Sequence, residues 1–276
     1  MSVAFDSNVT LTVEIGFDSN PLDSSQTYTD VTSFLRRFTI SRGRGTNLAS
    51  FNPGSATVVL DNRDNRFSPN QTTHYYDSAN NRSKVQPLKK IRIKAAFGGT
   101  TYIIFSGFVE NFPANYPGQG TDAEVKIKCV DAFKLFNNVT LDGFGWVLGT
   151  STLGVSTRLS LTQAQELSSV RAKNILDSFG YTEQQISTGQ LQVQTQPSTD
   201  TVLAALRAVE KAENGTFFIA ADGKATFRDR NFRLTNTTTP AATFGQGVGE
   251  LNYADIKTSF DDDKIVNTVQ RTRTGG

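Results

Sequence analysis

Hydrophobic and polar residues alternate along the first half of the chain with the period of a strand that buries one face. Val9, Leu11, Val13 and Ile15 interleave with Thr10, Thr12 and Glu14. Successive strand side chains point to opposite faces, so this segment turns its apolar groups toward a core. Shorter runs of the same kind occur at residues 38–41 and 56–60, separated by the turn-forming Gly43, Gly45, Pro53 and Gly54. Residues 90–95 and 102–105 flank Gly98-Gly99, a dipeptide that supplies the positive φ angles a two-residue hairpin requires. The alternation resumes at residues 124–130 after a Pro- and Gly-containing loop. Strands without an amphipathic helix between them predict an antiparallel β sandwich or barrel-like domain over residues 1–145.

The period then changes. A capping-box pattern at Thr162 is followed by Leu167, Val170, Ile175, Leu176 and Phe179 at helical spacing, closed by Gly180. Leu191 and Val193 alternate with glutamines as a strand. A second helix opens at residues 197–200 and buries Val202, Leu203, Leu206 and Val209 before Asn214-Gly215 ends it. Residues 216–220 and 224–228 are joined through Asp222-Gly223, a hairpin signal. Residues 146–250 thus predict a small α+β domain with two helices and a hairpin. Residues 251–276 include a strand-forming run at 264–271 with no partner following it. A lone strand is unstable in water, so this run is expected to return to the first domain or to open a second β domain completed elsewhere, in which case the chain is the front portion of something longer. The fold class is α+β, mainly β.

Composition narrows the chemistry. The chain has 276 residues, with 28 Lys and Arg against 26 Asp and Glu. The formal charge of +2 gives no bulk attraction to nucleic acid or to an anionic membrane. One cysteine, Cys129, and one histidine, His74, exclude an intrachain disulfide, multi-cysteine zinc sites and any paired-His metal centre. The amino-terminal residues carry neither a basic region nor an apolar run, so synthesis in the cytoplasm, without membrane insertion, is expected.

No nucleophile elbow, P-loop or dinucleotide fingerprint is present. His74, in a Tyr-rich loop, reads as a surface or interface residue rather than a general base. Asp61, Asp64 and Asn65, and separately Asp261, Asp262 and Asp263, superficially resemble calcium loops, but the EF-hand order fails in the first of them. Cys129 alternates inward with Val125 and Ile127 and reads as a small buried hydrophobe. Trp146 reads as packing at a domain junction. Lys90, Arg92, Lys94, Lys126 and Lys128 are expected on outward strand faces, where a basic stripe is either a solvated surface or a track for a nucleic-acid backbone. Arg42 and Arg44, in a strand-ending turn, are candidates for intersubunit salt bridges, because two guanidinium groups there can fork onto carboxylates.

The stretch from Ile40-Ser41-Arg42-Gly43-Arg44 through Leu60-Asp61-Asn62-Arg63-Asp64-Asn65-Arg66-Phe67-Ser68-Pro69 resembles minor tail, or tail-hub, proteins of long-tailed bacteriophages. The likeness continues at Pro87-Leu88-Lys89-Lys90-Ile91-Arg92-Ile93, at Phe105-Ser106-Gly107-Phe108-Val109, at residues 171–181 and 186–189, and at residues 215–230. The resemblance implies a hub in which barrel-like domains of three subunits form a ring that continues the tail tube, with α/β domains outside. It implies self-association, contact with the tube or distal tail protein and with tip or fibre proteins, and a place at the tail tip of the virion. Ile265, Val266 and Val269 would then begin the second barrel-like domain and meet a neighbouring subunit. No cofactor, metal, catalysis or sequence-specific nucleic acid is expected. The alternatives are a distal-tail adaptor forming a six-membered ring and, from another class, a host carbohydrate-binding tail protein using Tyr75, Tyr76 or Tyr116.

Overall fold

A computed structural model of the chain describes residues 9–45, 50–118, 122–141, 165–194, 201–232, 243–245 and 247. Residues 1–232 belong to one compact unit and residues 233–276 to another. The predicted capping box at Thr162, Trp146, the segment 197–200, Asp261 to Asp263, and Ile265, Val266 and Val269 lie outside the described residues.

The first unit opens with β1 (Thr10–Ile15), β2 (Thr29–Asp30), a 3-10 turn (Thr32–Phe34), β3 (Leu35–Gly43) and β4 (Asn52–Asp61). A small ribbon, β5 (Tyr76–Asp77) and β6 (Arg82–Ser83), precedes β7 (Lys90–Phe97), β8 (Thr100–Asn111), β9 (Ala114–Asn115) and β10 (Glu124–Val130). The main sheet runs β2-β1-β7-β8-β10-β4-β3, with β9 paired to β10, and all its pairings are antiparallel. The β7–β8 turn has Gly98 at φ 58° and Gly99 at φ 80°, as the dipeptide predicts.

The sheet curls without closing. β2 and β3 end opposite sides of the ladder, yet only four residues lie between Asp30 and Leu35. That stretch spans at most about 18 Å fully extended, so the two ends lie on either side of a narrow seam. Side chains from every long strand then reach one core: Val13 and Ile15, Val58 and Leu60, Ile91 and Ile93, Phe105 and Val109, and Val125, Ile127 and Cys129, with Phe38 and Ile40 packed against it. Cys129 is buried, as its alternation implies, and desolvation drives its thiol pKa well above the usual range. The predicted barrel-like shape is therefore present as an open, coiled sheet.

Three helices and two short sheets complete the unit: α1 (Ala132–Asn138), β11 (Glu166–Leu167), α2 (Ser168–Phe179), β12 (Gln184–Ile186), β13 (Gln192–Val193), α3 (Val202–Glu213), β14 (Thr216–Ile219) and β15 (Ala225–Arg228). β11 pairs with β13, and β15 lies between β12 and β14. The α2 cap Gly180 and the α3 cap Asn214 both adopt the left-handed conformation, as read from the sequence. A second core gathers Phe133 and Phe136 of α1, Ile175 and Leu176 of α2, Leu206 and Val209 of α3, and Phe217 and Phe227 of the hairpin. Strand β8 divides the two cores, because Phe105 and Val109 face the first and Phe108 the second. Gly107 permits the close approach: a Cβ there would lie 2.4 Å from the Val130 carbonyl oxygen.

Three expectations are corrected. α1 follows β10 directly and supplies three buried residues to the second core, where only sheet was expected. α2 begins at Ser168, with Leu167 as its cap, and Val170 is 42% exposed rather than part of the buried stripe. The basic stripe is broken: Lys90 is 4% exposed and pairs with Glu183, while Arg92 and Lys94 both pair with Glu14 across the β1–β7 ladder. Burial works against the Glu14 charge, but these two cations more than offset it and hold its pKa below the ordinary value.

Candidate functional site

The chemistry-bearing sequence features separate into structural locks and one open margin of the sheet. In the loop after β4, Asp61 receives Arg63 and Asp64 receives Arg66, each two residues ahead. Hydrogen bonds from Arg63 hold the Asp61 pKa at about 2. Both carboxylates are thus matched by cations, and the loop folds instead about Asn62, which is fully buried. The Asn62 Oδ1 atom accepts from the Phe67 amide at 2.9 Å, and its Nδ2 donates to Ser68 Oγ at 3.2 Å and to the Tyr116 hydroxyl at 3.1 Å. Asn65, at φ 66°, takes the left-handed turn and accepts from the Ser68 and Tyr116 hydroxyls.

The aromatic candidates are engaged in the same locks. Tyr75 stacks on Phe17 with centroids 4.1 Å apart and packs against the first core. Tyr76 bonds to Asn81 through its hydroxyl. Tyr116 is 49% exposed, but its hydroxyl is held by the Asn62 loop. His74 closes a tight loop in which its backbone N–H donates to Gln71 Oε1 at 2.6 Å. Among the described residues no group of three or more His, Cys, Asp and Glu side chains is placed to hold a metal ion.

The open margin is β3. Its residues pair with β4 on one side, from Leu35 against Leu60 to Gly43 against Asn52, with irregularities near both ends. Such irregularities bend a strand and sharpen its twist. At the Gly43 end lies a cleft of about 280 Å³ lined by Arg42, Phe51, Asn52, Asp131, Phe218 and Ile219, among others. Arg42 donates to the carbonyls of Ile104 at 3.2 Å and Ile219 at 3.3 Å, tying β3 to β8 and to the hairpin of the second core. Arg44 lies over the Phe51 ring at 4.8 Å, and Phe51 stacks on Phe218 at 4.7 Å. The sequence brings both arginines to this corner, but nothing in its pattern shows that the partners of Arg42 are carbonyls so far along the chain.

Asp131 is the floor of the cleft and was not singled out by sequence. Its Oδ2 accepts from the Gly54 amide at 2.5 Å and its Oδ1 from the Phe133 amide at 3.0 Å, so it caps α1 and holds β4 at once. Burial raises its pKa to about 6 against the opposing effect of those amides and of Arg42 and Arg207. With both oxygens occupied by backbone donors, the carboxylate is built into the scaffold.

No family model matches the sequence, and no curated protein matches it. Solved structures are similar in fold. A tail protein from Neisseria meningitidis aligns over 93% of this chain and 61% of its own, with a TM-score of 0.50 and 11% identity. A 43 kDa tail protein of prophage MuSo2 from Shewanella oneidensis aligns over 79% of this chain and 53% of its own, with a TM-score of 0.41 and 11% identity. A prophage tail protein from Listeria monocytogenes aligns over 80% and 51%, with a TM-score of 0.36 and 9% identity. The chain spans about three-fifths of the length of the Neisseria protein and shares its fold.

Proposed function

We propose that the chain is a structural component of a bacteriophage tail, a tip hub whose copies close a ring joining the tail tube to host-contacting parts. Its work is association, without turnover or cofactor. The observation that carries this reading is the outer edge of β3, a nine-residue strand with no partner on that side among the described residues, in a fold shared with a tail protein. A terminal strand presents a row of backbone donors and acceptors, and strand addition by a neighbouring subunit satisfies them. Each such hydrogen bond contributes about 0.5–1.5 kcal/mol net. In this reading Arg42 is an internal strut that stiffens the end of the edge, Arg44 stands beside the contact, and Ile265, Val266 and Val269 are candidates for the apposing strand.

Electron imaging of the purified protein tests the proposal. Closed rings with three-fold symmetry are the expected result. Six-fold rings would replace the hub by the distal-tail adaptor, and solitary particles at all concentrations would overturn both. Of the tyrosines in the carbohydrate reading, Tyr75 is stacked on Phe17, whereas the Tyr116 ring is 49% exposed, and glycan-array binding lost in Tyr116→Ala would favour that reading.

A further inference from the structure

The outer face of the sheet over β10, β4 and β3 carries positive charge that the chain itself does not neutralise. Register sets Arg37, Val59 and Lys126 in one cross-strand row, Thr39, Thr57 and Lys128 in the next, and Ser41 with Ser55 beyond them. Strand alternation turns these rows away from the core residues Val58, Leu60, Ile127 and Cys129. The carboxylates on this side are matched by arginines. Asp61 meets Arg63 at 2.5 Å, Asp122 meets Arg36 at 2.7 Å, and Glu124 meets Arg37 at 3.3 Å. Among the described residues Lys126 and Lys128 are exposed and have no ion-pair partner, whereas Lys84, Lys90, Lys94 and Lys134 each have one. A shallow groove of about 190 Å³ runs between Arg37 and Lys126 over the buried Val59.

We propose that this face binds the phosphodiester backbone of double-stranded nucleic acid without reading its sequence. Arg, Lys, Ser and Thr are the side chains that contact phosphate and sugar oxygens, and these rows consist of them apart from Val59 and Val130. Residues two apart on a strand stand about 6.7 Å apart, and β3 and β10 are about 9.6 Å apart across β4. Lys126 and Lys128 therefore stand as two unpaired cations about 6.7 Å apart beside the Arg37–Glu124 pair, facing a duplex that carries a charge per about 1.7 Å of axis. A protein partner would call for an apolar anchor at the centre of the contact, whereas Val59 at the centre is already covered and Val130 stands at the margin. Single strands would call for exposed rings on which bases stack, and the rows contain none. Because the net charge is only +2, binding rests on this patch and not on the molecule as a whole.

Anisotropy of a fluorescein-labelled 25-base-pair duplex, titrated with the protein as purified in salt from about 20 to 200 mM, tests the assignment. Two phosphate contacts, from Lys126 and Lys128, predict a log–log salt slope of about −1.8. The double variant Lys126→Ala, Lys128→Ala should lose at least about tenfold in affinity at the lowest salt, and its slope should fall toward zero. Its melting temperature should stay unchanged, and Lys126→Arg with Lys128→Arg should restore binding. No binding at the lowest salt, or binding that survives the double alanine variant, would overturn the proposal. So would polyglutamate competing as strongly as duplex per unit charge with the same dependence on both lysines, which would assign the face to an acidic protein instead. The outcome is independent of ring formation, so failure here leaves the tail-hub reading standing.

Discussion

Asn62 and Arg63 are neighbours whose contributions to stability are expected to differ severalfold. Asn62 is wholly buried and satisfies three partners, including the Phe67 amide. Asn62→Ala leaves those groups without a partner, and a loss of about 2–4 kcal/mol is expected in chemical denaturation. Arg63 makes a surface ion pair with Asp61, and Arg63→Ala should cost less than about 1 kcal/mol. Asp131 gives a pH signature. Its pKa of about 6 in the folded protein lies above the ordinary 3.8, so the native state binds more protons than the unfolded one between those values. Stability at this site therefore rises as pH falls from 7 through 6, by about 2–3 kcal/mol at most. Asp61, held at about 2, acts in the opposite sense: its contribution is present above pH 4 and is lost as pH falls toward 2. Denaturation midpoints across pH 4–8 should rise on the acid side of 6 in the native protein and flatten in Asp131→Asn.

At the scale of elements, two contacts fix how the helices and sheets meet. Gly107→Ala would drive a methyl group into the Val130 carbonyl, opening the β8–β10 ladder, and loss of the cooperative melting transition is expected. Glu213, fully buried at the end of α3, accepts from Ser168 Oγ at 2.6 Å, from the Leu191 amide at 2.9 Å and from Arg230 at 3.2 Å. Burial opposes its charge, but these donors outweigh it and hold its pKa below the ordinary value. Glu213→Gln should speed amide exchange at Ser168 and Leu191 while leaving the β7–β8 hairpin unchanged. Turns and caps were legible in sequence because Gly98, Gly99, Gly180 and Asn214 answer to local backbone conformation alone. The helix α1 was not, since its seven residues are too few to display a period and its buried side chains serve the second core. The roles of Glu210 and Glu213 were not legible either, because their partners, such as the Phe217 amide, are brought in only by the fold.

At the scale of the whole molecule, the coiled sheet leaves the outer edge of β3 without a strand partner among the described residues, and the proposal is that a ring of copies covers it. That account predicts behaviour confined to one strand. The most direct measurement is hydrogen exchange along β3 over a dilution series in which mass is followed in parallel. As the mass rises from one chain of 30.1 kDa to a closed oligomer, the amides of Leu35–Gly43 that face away from β4 should become protected, while those of the buried β8 stay unchanged. A mass of one chain at every concentration, or assembly with no added protection in β3, would contradict it.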